Sequence, residues 1–182
     1  MLVAFFQSVS TRTAGFDVIG QYTLTEDTRL LSIFFMFIGG SAGSTAGGVK
    51  TVTIGILVLS AISVLRGQQD LVVFGRKVAR TQIINATALV ALGILLVLAG
   101  SIFVFRAGGV RFIDVMYETV AAYSTAGMTV GVLEAVGRTE QVLLMCYMFF
   151  GKIGVLSLSF TFMLRGKRTA RYTHPTEHII IG

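Results

Sequence analysis

An all-α membrane protein is the fold class that three observations predict. The 182-residue chain is 54% hydrophobic and only 13% charged, with a mean hydropathy of +0.80, whereas a soluble domain carries about one quarter charged residues. Long apolar segments occupy 28–65, 82–105 and 141–164. Finally, the chain repeats itself. TAG occurs at 13–15 and 125–127 (and, with no half-helix before it, at 45–47), and MFIG at 36–39 returns as MFFG at 148–151. Both pairs lie 112 residues apart, and the same register sets Val3 and Phe5 opposite Val115 and Tyr117.

Taken in order, the first element is LVAFFQSV, an apolar half-helix too short to cross a bilayer, which needs about 20 residues. With no basic leader before it, it does not read as a signal peptide. A TAG turn follows, then a loop containing Asp17, Glu26 and Asp27. Segment 28–65 should be one inner helix, but GGSAGSTAGGVKT interrupts it at 39–51. Glycine costs a helix about 1 kcal/mol relative to alanine, and residues 39–48 hold five of them. The predicted result is two helical halves joined by a loop at membrane depth. A phosphate cradle is not expected, because the Walker spacing is off by one at Val49 and no soluble strand precedes it. Close helix packing through small residues is the competing role for this stretch.

Loop 66–80 carries Arg66, Arg76, Lys77 and Arg80 against Asp70. The tail carries Arg165, Lys167, Arg168 and Arg171 against Glu177. The positive-inside bias makes both cytoplasmic. The net charge of +6 is thus a matter of topology, not of nucleic-acid binding. Segment 82–105 is an uninterrupted span. FIDVMYETVAAY is a second half-helix, YSTAGMT holds its turn, and 141–164 is a further span with Lys152 near its middle. Cys146 excludes a disulfide framework and reads as a small buried hydrophobe. His174 and His178 flank Pro175 and lack a third ligand, so no metal centre is expected.

A half-helix that returns as non-helical backbone exposes carbonyls. At membrane depth that is tolerated only where the backbone is buried or lines water. Carbonyls lining water suit a dehydrated monovalent cation. Gly15 and Gly127 would supply the positive φ such a turn needs. Two repeats, of which the first lacks an outer helix, do not close a pore. The chain alone is therefore expected not to transport, and a fragment, split product or truncated gene is expected.

STRTAGF at 10–16, the glycine-rich stretch at 39–51, YSTAGMT at 123–129 and the closing EHIIIG together resemble the ion-translocating, KtrB-type subunit of the Ktr/Trk/HKT superfamily. The resemblance covers essentially the whole chain. It implies four helix–pore-helix–helix repeats of the potassium-channel type around one pore, with a broken inner helix. Residues 1–65 would be the third repeat without its outer helix, 66–81 a cytoplasmic loop, 82–164 the fourth repeat and 165–182 a cytoplasmic tail. Thr11, Arg12, Thr13, Ala14, Gly15, Ser124, Thr125, Ala126 and Gly127 would form two quarters of the selectivity filter. Gly39, Gly40, Ser41, Ala42, Gly43, Ser44, Thr45, Ala46, Gly47 and Gly48 would form a gating loop below it. Register sets Gly40 opposite Lys152, where the family usually has arginine, so the lysine would add a positive barrier.

The resemblance further implies a gated, channel-like potassium transporter of the bacterial plasma membrane. It would have no enzymatic chemistry and no organic cofactor, and K+ would be the transported ion. Its partners would be a second membrane subunit in a homodimer, a cytosolic KtrA-like nucleotide-binding ring and the lipid bilayer. A cation-coupled secondary transporter with discontinuous helices shares repeats and broken segments, and a non-transporting fragment is the third reading.

Overall fold

The computed structural model of the protein describes residues 2–41, 43–68, 70–73, 75–106 and 108–164, the side chains of 153–164 excepted. Among these residues it is mostly helical. Helix α1 (Leu2–Ser10) leads through the first TAG turn and a 3-10 turn (Gln21–Thr23) to α2 (Glu26–Phe37). A loop then joins α2 to α3 (Thr51–Leu65). A two-stranded hairpin, β1 (Val72–Val73) with β2 (Arg76–Lys77), precedes α4 (Arg80–Phe105). The second unit follows as α5 (Phe112–Ser124), the short α6 (Val132–Ala135) and α7 (Arg138–Leu164).

Helix α4 is the one helix among the described residues that is long and apolar enough to cross a bilayer. Its 26 residues rise about 39 Å at 1.5 Å each, against a hydrocarbon core of about 30 Å. The expected span at 141–164 falls within α7, Arg138–Leu164. The 9 residues of α1 and 13 of α5 give lengths of about 14 and 20 Å, so both stop inside such a core.

Helix α5 is the centre of the molecule and packs against α2, α4 and α7. Everything from Tyr117 to Ser124 is buried, as befits a helix enclosed on all sides. The face of α4 turned inward is a stripe of Ala86, Gly93, Val97, Gly100 and Val104. The stripe is narrow because aromatic rings press against it. A Cβ on Gly100 would stand 2.6 Å from the Tyr147 ring, whose hydroxyl donates to the Leu96 carbonyl at 2.8 Å. Helix α7 meets α5 through Leu144, Tyr147 and Gly151. Cys146 corrects its expected burial: it is exposed. It lies on the opposite side of α7, with the exposed Val142, Met145 and Phe149, an apolar face of the kind that lipid or another subunit covers.

Two polar arrangements tie the repeats together. Thr25 caps α2, accepting from the Thr28 amide, and Glu26 and Asp27 complement the helix dipole in its first turn. From that end Arg29, 5% exposed, forms an ion pair with Asp114 and donates to the Tyr22 carbonyl at 2.7 Å. Arg111 bridges Asp114 and Glu26 at 3.0 and 2.7 Å on the exposed rim. Removing one partner of a buried pair costs about 3–5 kcal/mol, an exposed one under about 1. Arg29→Ala should therefore lower the unfolding temperature of the detergent-solubilised protein markedly, whereas Arg111→Ala should shift it little. Equal shifts would show that burial does not set the strength of this pair.

The hairpin is a feature the sequence did not announce. Val72 pairs with Lys77 and Val73 with Arg76, Gly75 turns at φ 75°, and exposed Lys77 meets Asp70 at 2.5 Å. His174 and His178, and the whole tail 165–182, lie outside the described residues.

Candidate functional site

The two TAG turns adopt the same unusual backbone. Thr13 and Thr125 have φ of 65° and 55°, and Gly15 and Gly127 have 76° and 77°. Among the described non-glycine residues no others have positive φ. A β-branched residue in this region is a genuine outlier and costs roughly 1–2 kcal/mol. Strain of this kind persists only where surrounding structure enforces it. In each turn the alanine between the two positive-φ residues has ordinary φ, so handedness alternates.

The turns also meet. A Cβ on Gly15 would stand 2.9 Å from the Ala126 carbonyl oxygen, and one on Gly127 would stand 3.8 Å from the Gly15 Cα. Residues 112 apart in sequence are thus neighbours at the ends of α1 and α5.

Polar side chains clamp the backbone just beyond each turn. After the first, the Ser10 hydroxyl donates to the Phe16 carbonyl and accepts from the Phe16 amide at 3.1 Å. The Asp17 carboxylate accepts from the amides of Ile19, Gly20 and Gln21 at 3.3, 3.0 and 3.3 Å. Fully buried Gln21 accepts from Gln7 and from the Tyr117 hydroxyl, each at 2.7 Å, and so bridges the two units. After the second turn, Glu118, buried in α5, accepts from the Thr129 hydroxyl at 3.0 Å and the Val130 amide at 3.1 Å.

Other site residues expected from the sequence behave differently from the turn backbone. The Thr11 hydroxyl donates to the Ser8 carbonyl and the Ser124 hydroxyl to the Val120 carbonyl, so both turn back into their own helices. Arg12 leaves the turn altogether. Its guanidinium lies 5.3 Å from the Phe35 ring centroid and donates to the Ile38 carbonyl at 3.3 Å.

The glycine-rich stretch is non-helical, and its neck is closed. The Gly39 amide donates to the Val49 carbonyl (2.8 Å), that of Val49 to Phe37 (3.1 Å) and that of Thr51 to Gly40 (3.2 Å). Its far side presses on the second turn. The Gly47 amide donates to the Thr125 hydroxyl at 3.2 Å, and a Cβ there would stand 2.7 Å from the Ser124 carbonyl oxygen. Ala42 lies outside the described residues. Lys152 is exposed on α7, and among the described residues it makes no hydrogen bond to the loop. The cation that does reach the loop is Lys50, to which sequence reasoning assigned no role.

Two short helices, α1 and α5, thus each lead into a turn with the same pair of positive-φ residues. Comparison with known sequences identifies the family. The family described as TrkH, cation transport protein, matches residues 1–169, and the chain belongs to it. It is similar to the potassium/sodium uptake protein NtpJ of Enterococcus hirae, with 30% identity over 98% of this chain and 41% of that protein. It is 31% identical to the Ktr system potassium uptake protein B of Bacillus subtilis, over 98% of this chain and 40% of that protein. The Vibrio alginolyticus protein of the same name is 28% identical over 100% and 39%. The chain spans about two fifths of the length of these relatives.

Proposed function

We propose that the full-length protein conducts potassium through a gated, channel-like pore, and that residues 1–164 supply its third and fourth repeats. The observation that carries this reading is the meeting of Gly15 with Ala126 and Gly127, with alternating φ on both strands. Two such turns side by side offer the backbone carbonyls with which a filter replaces an ion's hydration shell. Helices α1 and α5 end there, and their carbonyl ends carry partial negative charge toward the ion. The Asp17 and Glu118 clamps keep the strands from relaxing. Loop 39–48, closed at its neck and pressed on Ser124 and Thr125, is the gate on the inner side of the filter. Lys152 contributes a positive barrier at similar depth. The names of the relatives, potassium uptake and potassium/sodium uptake, support a monovalent cation as cargo. A homodimer of membrane subunits on a cytosolic KtrA-like nucleotide-binding ring, with loop 66–81 and tail 165–182 facing that ring, completes the assembly.

The test is flux against imposed gradients in proteoliposomes holding the full-length protein. A channel-like pore passes potassium down its own gradient at a rate indifferent to an opposing sodium gradient. Strict coupling to a second cation would replace this reading with a secondary transporter.

A further inference from the structure

Lys50 stands between the glycine-rich loop and α3, and its side chain turns back into the loop. The ammonium Nζ donates to the Ser44 carbonyl at 2.9 Å and to the Ala46 carbonyl at 2.6 Å. Among the described residues no carboxylate pairs with it. A cation at membrane depth needs partners that replace water, and here two backbone carbonyls serve. They belong to the segment that touches the second turn, since Gly47 follows Ala46 directly and donates to Thr125. The Ser44 hydroxyl, in turn, accepts from the Ala46 amide at 3.1 Å and shapes the bend that aims both carbonyls at the lysine. With the neck sewn between 37–40 and 49–51, the loop is a ring drawn tight around one ammonium.

We infer that Lys50 latches this loop closed, and that the Ser44 and Ala46 carbonyls form a monovalent-cation site that an arriving potassium ion takes over from the ammonium. The inference rests on the gate reading above. Its chemistry is competitive. An ammonium is a compact point charge on a flexible stem, and a dehydrated potassium ion is satisfied by the same carbonyl oxygens. An ion in the site displaces Nζ, the ring loses its central tie, and a segment rich in glycine has little else to hold it. The ion takes both oxygens, and the displaced ammonium, still tethered through Lys50, passes to the water that the loosened loop admits and repels the ion onward. The gate would then be loosened by its own cargo.

The experiment uses the full-length protein with its other cysteines replaced, Cys146→Ala included, and exposed Thr45→Cys as reporter. The rate of modification by a small thiol reagent is read in potassium and in a large organic cation. With Lys50 present, potassium should speed modification about tenfold, the scale of one charge-assisted hydrogen bond. Lys50→Met should be fast in both media and indifferent to potassium. A parent rate indifferent to potassium, or a Lys50→Met rate as slow as the parent's, overturns the latch. Where Lys50→Met does not reach the membrane, the potassium response of the parent decides alone. Uptake by a protein lacking Ser41 to Ala46 separates the two readings. Raised uptake there with a slow Lys50→Met leaves the gate standing without its latch, whereas unraised uptake removes both.

Discussion

Gly127→Ser in the full-length protein is expected to lower the potassium/sodium flux ratio substantially while leaving the protein in the membrane. Gly127 has φ 77°, and an added Cβ would meet only the Gly15 Cα, at 3.8 Å. The substitution is therefore a question of backbone conformation and not of space. Serine in the left-handed region costs roughly 1–2 kcal/mol, which the strand escapes by rotating its carbonyls. Gly15→Ser should be worse. Its φ is 76°, and its Cβ would also stand 2.9 Å from the Ala126 carbonyl oxygen, so the two turns must move apart. The order expected in flux ratio is parent above Gly127→Ser above Gly15→Ser. Ratios unchanged in both variants would mean that these carbonyls do not face the ion.

Removing the loop is the second large effect. Deleting Ser41 to Ala46 should raise potassium uptake and weaken its dependence on the cytosolic partner. The segment removed carries both Lys50 acceptors. The neck residues Phe37, Gly39, Gly40, Val49 and Thr51 are retained. Helices α2 and α3 keep their ends, and the core around α5 is untouched, because none of the described residues deleted, Ser41 and Gly43 to Ala46, is buried in it. A packing role predicts the reverse, with helices shifted and uptake lost. Initial uptake at matched membrane expression distinguishes the two.

Much of this architecture was legible because hydropathy and glycine are strong local signals. The span read at 82–105 is α4 at Arg80–Phe105, and the short apolar segments are α1 and α5. The interruption at 39–48 was readable from propensity alone. What escaped is non-local or conformational. Arg29 finds Asp114 85 residues away, and nothing in either local sequence pairs them. Glu118 is buried in α5 and clamps the strand that follows Thr125, through a bond to Val130 that its apolar segment does not reveal. The left-handed Thr13 and Thr125 carry no sequence signal, since threonine avoids that region unless tertiary contacts impose it. Cys146 was misjudged because apolar surroundings in sequence do not tell a core-facing from an outward-facing helix position. Strands of two residues, such as those at 72–77, are too short for any periodicity to reveal.

In the proposed pore, filter and gate are separate devices: the strained turns would select, and the tied loop would admit. One measurement addresses that separation directly. Initial potassium and sodium uptake should be compared, side by side, in the full-length protein with and without Ser41 to Ala46. A higher potassium rate with an unchanged potassium/sodium ratio is the expected result, because the turns keep their mutual contact and their Asp17 and Glu118 clamps. A folded deletion protein that has lost potassium uptake, or that passes both ions alike, would contradict it.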